Sequence, residues 1–585
     1  MNKRLAIIGI DGADPKITEK LVKEGKLPAL SKLKEKGGYG HLSTLNSSQS
    51  PICWSSIITG LKPGNHGVHD FIIRDPKNLT IKMGMNDEKT DSHGHKHYFN
   101  LREQNAVWNN LNGTTVSLFI PMTFPAEKIN GYMISGMGIP DARGTQGAPK
   151  IYSTNNKKKG KENVVVIEFK NNRSKIEIEG YNEKIKAQIE KNTEEIFIHF
   201  NEKKINLKEK QWSQWIYEKY NSVECAFRFK LLNLKEKEME LYLSPVAFSS
   251  RENFVPFIYP ENLGKELVEE CGEFKTLSFE SDVYGLKEEL IDEETWLEDM
   301  NYTLQARMKV ANSMLKKKWN YFVVDFFGID RTQHMFWHSI DKKHPYHDYG
   351  KGFENVIEES YIEMDSHLGN LMKNFTENDL IFIVSDHGFM SYRKNVELNK
   401  ILEEKRLLNL KDGKKSRGLM DIDWNKTKAY AVGFGAIYLN VKGRERFGII
   451  SNEEYIQVRK EVIEELTDYS FNGEKIFKRL VAREEIYSGK YINEMPDVIP
   501  IYNDGFRAGR ESVLGIVSKK EQVHDNLSKW SGDHIGPYDI NDNYGYVFSP
   551  NNFDLKNASV FDLGTTAADY FGKPIGNLDG RSLLR

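Results

Sequence analysis

The stretch DLIFIVSDHG, residues Asp379–Gly388, decides the fold that the sequence predicts. Its apolar run, Leu380–Val384, is followed at once by polar residues, which is typical of a parallel strand buried on both faces. In open α/β sheets, ligands bind just beyond the carboxyl ends of such strands. We therefore expect an α/β fold in which Asp386 and His387 lie at the functional edge of the sheet.

Two other stretches share this design, RLAIIGID at residues 4–11 and YFVVDFFGID at residues 321–330. Helical patterns occupy residues 17–37, 296–318 and 355–375, so strands alternate with helices along the chain. Such alternation predicts an α/β core in which helices sandwich a mostly parallel sheet. The run Leu5–Ile10 is too short for the apolar region of a signal peptide, and we interpret it as a buried strand.

The character of the sequence changes between residues 157 and 280. NVVVIEF, KIEIEG and EIFIHF alternate apolar and polar residues, which is typical of half-buried antiparallel strands. We expect a β-rich insertion that forms a cap over the carboxyl ends of the core strands. The predicted organisation is core residues 1–150, insertion 151–285, core 286–400, a mixed α/β accessory segment 401–490, and core 491–585.

Charge and composition exclude several classes of protein. The 585 residues include 82 basic and 84 acidic side chains, a formal net charge of −2, which gives no electrostatic reason to expect a nucleic-acid or membrane partner. The isolated Cys53, Cys225 and Cys271 indicate neither a disulfide framework nor a thiolate zinc site. Nowhere do about 18 consecutive apolar residues occur, as a transmembrane helix requires. We expect a soluble, cytoplasmic protein, and no motif encodes its oligomeric state.

Carboxylate and imidazole side chains recur at strand ends or in loops that contain glycine. Asp oxygen and neutral His nitrogen both suit zinc, and carboxylate-rich sites also suit manganese. Any one of these residues is more often a helix cap or a satisfied polar group, but their joint placement favours a site for two divalent ions. The candidate ligands are Asp11, Asp330, His334, Asp386, His387 and His534.

The stretch SSQSPICWSSIITGLKPGNHGVHDF, residues 47–71, supplies hydroxyl groups that such ions could activate. A metal ion lowers the pKa of a coordinated hydroxyl, and two ions can stabilise both oxygens of an in-line phosphoryl displacement. Physical reasoning alone does not choose the nucleophile. The candidates are Ser47, Ser48, Ser50, Ser55 and Ser56.

The ordered motifs IIGIDG, SPICWSSIITGLKPGNHGVHDF, FFGIDRTQH, VSDHG and SGDH resemble those of the alkaline phosphatase superfamily. The resemblance is closest to its type I phosphodiesterase/nucleotide pyrophosphatase branch and the phosphohydrolase/phosphomutase group near it. It covers about residues 1–140, 290–400 and 490–585. It implies an alkaline phosphatase-like core and places the nucleophile ten residues before Gly60, at Ser50.

The resemblance also implies a division of the ligands between two metal ions. Asp11, Ser50, Asp386 and His387 would hold one ion, and Asp330, His334 and His534 would hold the other. A phosphoseryl intermediate that water hydrolyses in a second step is implied as well. Sulfatases of the superfamily place Pro two residues and Arg four residues after the nucleophile. Here Pro51 follows Ser50 directly and Trp54 occupies the fourth position, so the sulfatase alternative loses its key residues.

Arg74 and Arg331 are candidate substrate-binding residues, because a guanidinium fork suits phosphate oxygens. A structural ion pair is equally compatible with either arginine. For Trp54, Phe336 and Trp337 we favour core packing over contact with an aromatic leaving group.

The sequence therefore predicts a metal-dependent hydrolase of small phosphate esters, with two divalent ions per chain, zinc or else manganese. The resemblance favours phosphodiesters or nucleotide pyrophosphates as substrates. Alternatives are a phosphomonoesterase or a phosphomutase that uses the same serine, and a metal-binding protein of the same fold without turnover.

Overall fold

The computed structural model describes residues 3–92, 96–275, 280–412, 416–536, 539 and 541–585. The chain divides into two compact units. The first contains residues 1–115 and 319–585, and the second contains residues 116–318. The second unit thus includes the whole of the predicted insertion 151–285, whose role as a cap stays a prediction.

The main sheet of the first unit contains the strands that the sequence predicts. Strand β1 (Leu5–Ile10) runs parallel to both β3 (Tyr321–Phe326) and β4 (Leu380–Ser385). Strand β5 (Gly545–Ser549) runs antiparallel to β4 and to β2 (Gly38–Ser43). Each residue of β1 and β3 is buried, as expected for strands covered on both faces. The predicted α/β fold with a largely parallel sheet is confirmed. In the spatial order β3–β1–β4–β5–β2–β6, these strands are β1 (Leu5–Ile10), β2 (Gly38–Ser43), β3 (Tyr321–Phe326), β4 (Leu380–Ser385), β5 (Gly545–Ser549) and β6 (Ala558–Ser559).

Three helices of the first unit carry or support the candidate site, namely α1 (Ser50–Thr59), α2 (Gly328–Ile340) and α3 (Val356–Leu371). α1 is buried along its whole length, has Pro51 in its first turn and ends at Gly60, which adopts a left-handed φ of 71°. Proline suits the first turn and glycine suits this ending. The other α-helices described in this unit are Pro15–Lys23, Pro28–Lys36, Pro63–His66, Leu398–Glu404, Tyr455–Thr467, Arg483–Ile486, Arg510–Val513 and Val560–Tyr570.

Smaller sheets extend the first unit. Met390–Val396 pairs with Gly505–Ala508, Val523–Asp525 and Gly532–Asp533, and Met390 opposite Asp533 brings the chain before His534 beside the chain after His387. A second small sheet contains Ala429–Ala431, Ile437–Leu439, Val498–Tyr502 and Phe477–Ala482. Hairpins join Ile72–Asp75 to Thr80–Met83, Asn86–Thr90 to Lys96–Asn100, and Ser470–Phe471 to Glu474–Lys475.

The second unit is rich in β structure. Arg173–Glu179, Lys184–Lys191, Glu195–Phe200 and Lys203–Lys208 form an antiparallel meander, and buried residues alternate with more exposed ones in its strands. The antiparallel prediction for KIEIEG and EIFIHF is confirmed. The remaining strands are Thr115–Ile120, of which only Thr115 belongs to the first unit, Gly131–Ser135, Lys150–Ser153, Val164–Val166, Ile216–Tyr220, Val223–Phe227, Phe229–Leu234, Met239–Leu243, Ala247–Phe248 and Ile258–Tyr259. The α-helices are Leu263–Cys271, Val283–Lys287 and Glu293–Leu315.

NVVVIEF differs from the prediction. Its strand is only Val164–Val166, and it pairs parallel with Lys150–Ser153 at the edge of a sheet. Val165 is 37% exposed, and Val164 and Val166 on the opposite face are only half-buried, so this short edge strand has no fully buried face. Alternation of apolar and polar residues reports burial on one face, but it does not report the direction of the neighbouring strand.

Cys53, Cys225 and Cys271 are buried and form no disulfide. Within the part of the chain that the structure describes, none of the helices combines the length and the apolar character needed to cross a membrane.

A tight turn follows β1 and places it against α2. Gly12 has a φ of +64°, and a Cβ atom there would lie 2.9 Å from Asp330 Oδ1. Any larger residue would therefore meet both an unfavourable backbone conformation and a steric contact.

We expect Gly12→Ala to lower the free energy of unfolding by about 2–4 kcal/mol, since backbone strain and overpacking act together. Gly25→Ala is the matched control, because Gly25 has a φ of +73° but no atom within 4 Å of the added methyl group. Urea denaturation of both variants measures the difference. Equal destabilisation would show that the close approach to Asp330 contributes nothing.

Candidate active site

The fold brings the predicted ligands together at the carboxyl ends of adjacent parallel strands. Asp11 follows β1, α2 with Asp330 and His334 follows β3, and Asp386 and His387 follow β4. His534 follows Gly532–Asp533 and completes the cluster. These side chains, together with Ser50, are at most 2% exposed.

Ser50 is the first residue of α1, and its hydroxyl faces the cluster. Ser50 Oγ donates a hydrogen bond to Asp11 Oδ1 at 3.1 Å and lies 3.4 Å from His387 Nε2. The competing hydroxyls bond elsewhere. Ser47 and Ser48 donate to the carbonyls of Ile535 and His534, Ser55 donates to Pro51 O, and Ser56 pairs with His66. Among these serines, the geometry therefore favours Ser50.

Among the described residues, two groups of side chains could each hold a metal ion. One group is Asp330, His334 and His534, and the other is Asp11, Asp330 and His387, with ligand atoms within 4.8 Å of one another. The first group matches one predicted set. The second group contains Asp330 where the resemblance implies Asp386, so Asp330 lies between the two groups. Asp386 Oδ2 is 3.4 Å from His387 Nε2, and the division of ligands stays a prediction.

The three imidazoles share one hydrogen-bonding arrangement. The Nδ1 atoms of His334, His387 and His534 lie 2.7–3.0 Å from the backbone carbonyls of Gly532, Gly388 and Ser48, respectively. A carbonyl only accepts, so each Nδ1 carries the proton and each Nε2 presents its lone pair to the cluster. Histidines that ligate metals are held in this way.

Acceptor atoms in the cluster face one another. His334 Nε2 lies 3.1 Å from His534 Nε2, which in turn lies 3.1 Å from Asp330 Oδ1. Among the described residues, Asp386 Oδ2 is buried and receives no hydrogen bond. Lone pairs packed this closely repel unless a proton or a cation lies between them. The residues present therefore fit divalent ions.

The pKa values of the three buried carboxylates also fit a site for divalent ions. Burial, with the neighbouring charge of Asp386, raises the pKa of Asp11 to about 8. Burial also raises the pKa of Asp386 to about 7, against the lowering effect of His534. Although burial raises the pKa of Asp330 too, its interactions with His334, Arg331 and His534 outweigh that effect and hold the pKa far below its usual range. A divalent cation would favour the ionised form of every carboxylate in the cluster.

Trp54 is a site residue that the sequence analysis missed. It is fully buried, as core packing predicts, but its Nε1–H also donates to Asp11 Oδ2 at 3.1 Å. Ser50 and Trp54 lie four residues apart on α1, so both face the same carboxylate. The four-residue spacing of Ser50 and Trp54 is the feature of the sequence that could have indicated this contact.

Further aromatic rings pack beside the histidines. Trp530 stacks on His334 with ring centroids 3.8 Å apart, and Trp337 stacks on Phe389. Phe389 in turn lies edge-on to His334, so these rings restrict the movement of this imidazole. No motif in the sequence marked Trp530.

The two candidate substrate-binding arginines lie in different surroundings. Arg331 Nη1 contacts Asp330 Oδ2 at 2.8 Å, which brings it to the metal-ligand cluster. Arg74 Nη1 instead lies 2.7 Å from Glu445 Oε1, and its guanidinium stacks on Tyr438. The observed contact of Arg74 is thus a structural ion pair. A role in substrate binding stays a prediction for both residues.

Comparison with curated proteins finds no match. Among solved structures, phosphonoacetate hydrolase from Sinorhizobium meliloti 1021 in complex with phosphonoformate shares 11% identity at a TM-score of 0.46 and covers 98% of this chain and 96% of its own. An inactive form of murine ectonucleotide pyrophosphatase/phosphodiesterase 5 in complex with AMP shares 10% identity at a TM-score of 0.45, with 99% and 97% coverage.

The family described as type I phosphodiesterase/nucleotide pyrophosphatase matches residues 5–525. The match includes every candidate ligand except His534, which lies beyond it. It also covers most of the 585 residues and confirms the resemblance that the ordered motifs indicate. The chain therefore belongs to the type I phosphodiesterase/nucleotide pyrophosphatase family.

Proposed function

We propose that this protein hydrolyses phosphate esters with the help of two divalent metal ions and that Ser50 is the nucleophile. Family membership supports a hydrolase of phosphoester bonds. The observation that carries the proposal is the position of Ser50 Oγ, 3.1 Å from Asp11 Oδ1 and 3.4 Å from His387 Nε2. A serine hydroxyl needs such an activating environment to act as a nucleophile.

The start of α1 supports the binding of a phosphoryl group at Ser50. The N-terminus of a helix carries a partial positive charge and attracts phosphate oxygens. Attack by Ser50 Oγ on phosphorus would form an Oγ–P bond as the hydroxyl releases its proton to solvent. The bond to the leaving oxygen would break, and the leaving group would take that electron pair. Water would then cleave the Oγ–P bond and restore the serine.

We assign Asp330, His334 and His534 to one ion and Asp11, Ser50, Asp386 and His387 to the other, with Asp330 close enough to contact both. Bound zinc or manganese would supply Lewis acidity that stabilises negative charge on the attacking and leaving oxygens. Arg331 would bind a substrate oxygen from its place beside Asp330, and Trp54 would hold Asp11 in position.

The proposed substrate is a small phosphodiester or a nucleotide pyrophosphate. The description of the family supports this class over monoesters. A formal net charge of −2 gives no reason to expect a stable nucleic-acid partner. The buried, unpaired cysteines are compatible with the cytoplasmic location that we expect.

One observation favours a second candidate, a phosphomutase. Ser50 is only 2% exposed, and exclusion of water favours return of the phosphoryl group to a bound substrate over its transfer to water. Release of inorganic phosphate or of a nucleoside monophosphate would distinguish hydrolysis from such a transfer.

We expect cleavage of bis-p-nitrophenyl phosphate to exceed that of p-nitrophenyl phosphate by at least about tenfold in kcat/KM, a difference of about 1.4 kcal/mol in transition-state stabilisation. The assay follows p-nitrophenolate release by protein loaded with zinc or manganese. A higher rate on the monoester would make the protein a phosphomonoesterase.

Ser50→Ala should lower kcat by about 10³-fold or more, because the covalent route is lost. The metal content should stay the same, because a hydroxyl contributes little to holding an ion that Asp11, Asp386 and His387 still bind. Ser55→Ala is the matched control, since its hydroxyl bonds only to the carbonyl of Pro51 within α1. Activity and bound metal are measured on the same samples. Retained activity in Ser50→Ala would remove this serine from the mechanism.

His334→Ala should lower the metal stoichiometry by about one ion per chain, whereas Asp330→Asn should affect both ions, because an Asp330 oxygen belongs to both groups. Ser339→Ala is the control on the same helix, since the Ser339 hydroxyl donates to the carbonyls of Phe336 and Phe353 and to none of the candidate ligands. Elemental analysis after dialysis gives the counts. If Asp330→Asn still binds two ions per chain, Asp330 is not a ligand shared by both ions.

A further inference from the structure

Tyr361 belongs to none of the motifs that the sequence indicates, yet it lies at the junction of the segments that carry the metal ligands. It is on α3 and is 2% exposed. Its hydroxyl accepts a hydrogen bond from the backbone N–H of Asp14 at 2.6 Å and donates one to Gln333 Oε1 at 2.8 Å. Both hydrogen-bonding capacities of the phenol are therefore used.

Gln333 extends this connection to the turn after β1. It is fully buried and directly precedes His334 on α2. Its Nε2 donates to the carbonyl of Gly12 at 2.7 Å, next to Asp11. The side chain of Gln333 thus ties the helix of Asp330 and His334 to the loop of Asp11.

Asp14 extends the connection to the third ligand-bearing segment. Its Oδ1 accepts from the N–H groups of Lys16 and Ile17 at the start of helix Pro15–Lys23. Its Oδ2 accepts from the N–H of Phe389 at 3.1 Å, two residues after His387. One continuous set of hydrogen bonds therefore joins α2, the loop after β1 and the loop after β4.

We propose that Tyr361 is a positioning residue that sets the relative positions of these three segments and thereby the affinity of the site for divalent cations. The inference rests on the proposed function, because it assumes that the cluster holds metal. Tyr361 acts through Gln333 and Asp14, and its hydroxyl bonds to none of the candidate ligands. Its influence is on geometry rather than on the reacting atoms.

Chain connectivity cannot supply this alignment. The hydrogen bonds join residues that are far apart in sequence, namely Asp14, Gln333, Tyr361 and Phe389. A displacement of about 1 Å in a site can cost about 100-fold in rate, and loss of an outer hydrogen-bonding partner typically costs about 10- to 100-fold in metal affinity. Buried donors and acceptors without partners also favour rearrangement.

The hydroxyl can be removed without removing the ring. Tyr361→Phe leaves Gln333 Oε1 without its donor and the Asp14 N–H without its acceptor, while the aromatic packing of α3 is retained. Tyr152→Phe is the matched control, because Tyr152 is also fully buried and donates a hydrogen bond, to Glu177 O at 2.5 Å, but lies in the second unit. Each substitution deletes one buried phenolic oxygen.

The experiment is a competition titration of the metal-free full-length protein with zinc against a chromogenic chelator. We expect the Kd for zinc to rise about 10- to 100-fold in Tyr361→Phe and to stay unchanged in Tyr152→Phe. At saturating zinc, Tyr361→Phe should regain two bound ions and most of its kcat. An unchanged Kd in Tyr361→Phe, or an equal rise in Tyr152→Phe, would overturn the inference.

A second variant tests the connection itself. Gln333→Met removes the bonds to both Tyr361 and Gly12 but leaves the bond from the Asp14 N–H to Tyr361. In the double variant Gln333→Met/Tyr361→Phe, the loss of zinc affinity should therefore be smaller than the two single losses combined. Additive losses would show that the residues act separately and would also overturn the inference. Wild-type protein that binds no zinc would refute the proposed metal site, and with it this inference. Wild-type protein that binds two ions without cleaving any ester would refute the proposed function alone.

Discussion

The burial of Asp11, Asp330 and Asp386 in one small volume is the constraint on which the rest of the site depends. Each of these carboxylates is fully buried, and ionised groups are costly to desolvate without partners. Burial raises the pKa of Asp11 and of Asp386, whereas interactions with the neighbouring histidines and Arg331 lower the pKa of Asp330 and keep it ionised. The oriented imidazoles and the donors from α1 are arranged around this excess of negative charge. The divalent ions that we propose would complete the compensation.

Two side chains of α1, one turn apart, donate hydrogen bonds to this buried negative charge. Its first residue supplies the hydroxyl on one oxygen of Asp11, and Trp54, one turn later, supplies the indole donor on the other. The helix is itself buried and packs against Val560–Tyr570, so its position is fixed by the core. The proposed nucleophile Ser50 and the candidate ligand Asp11 are therefore oriented by one helix, as a site that must hold a defined geometry requires.

Much of the fold and of the site could be predicted because apolar runs mark buried strands and polar residues mark their ends. DLIFIVSDHG and RLAIIGID place Asp11, Asp386 and His387 at one sheet edge once the strands are taken as parallel. The sequence does not reveal which side chains meet across distant segments. The contacts of Trp54 and Tyr361 and the central place of Asp330 depend on packing, and the pairing direction of Val164–Val166 depends on its neighbour.

The division of the chain also has a consequence for the biogenesis of the protein. Residues 116–318 are continuous, whereas the first unit combines residues on both sides of them. Because domains fold as units during synthesis, the second unit can complete its fold before the candidate ligands other than Asp11 and Ser50, all of which follow residue 318, have been synthesised. The cluster cannot close until His534 has been synthesised. Binding of the proposed metal ions by the complete set of ligands would therefore follow the synthesis of His534.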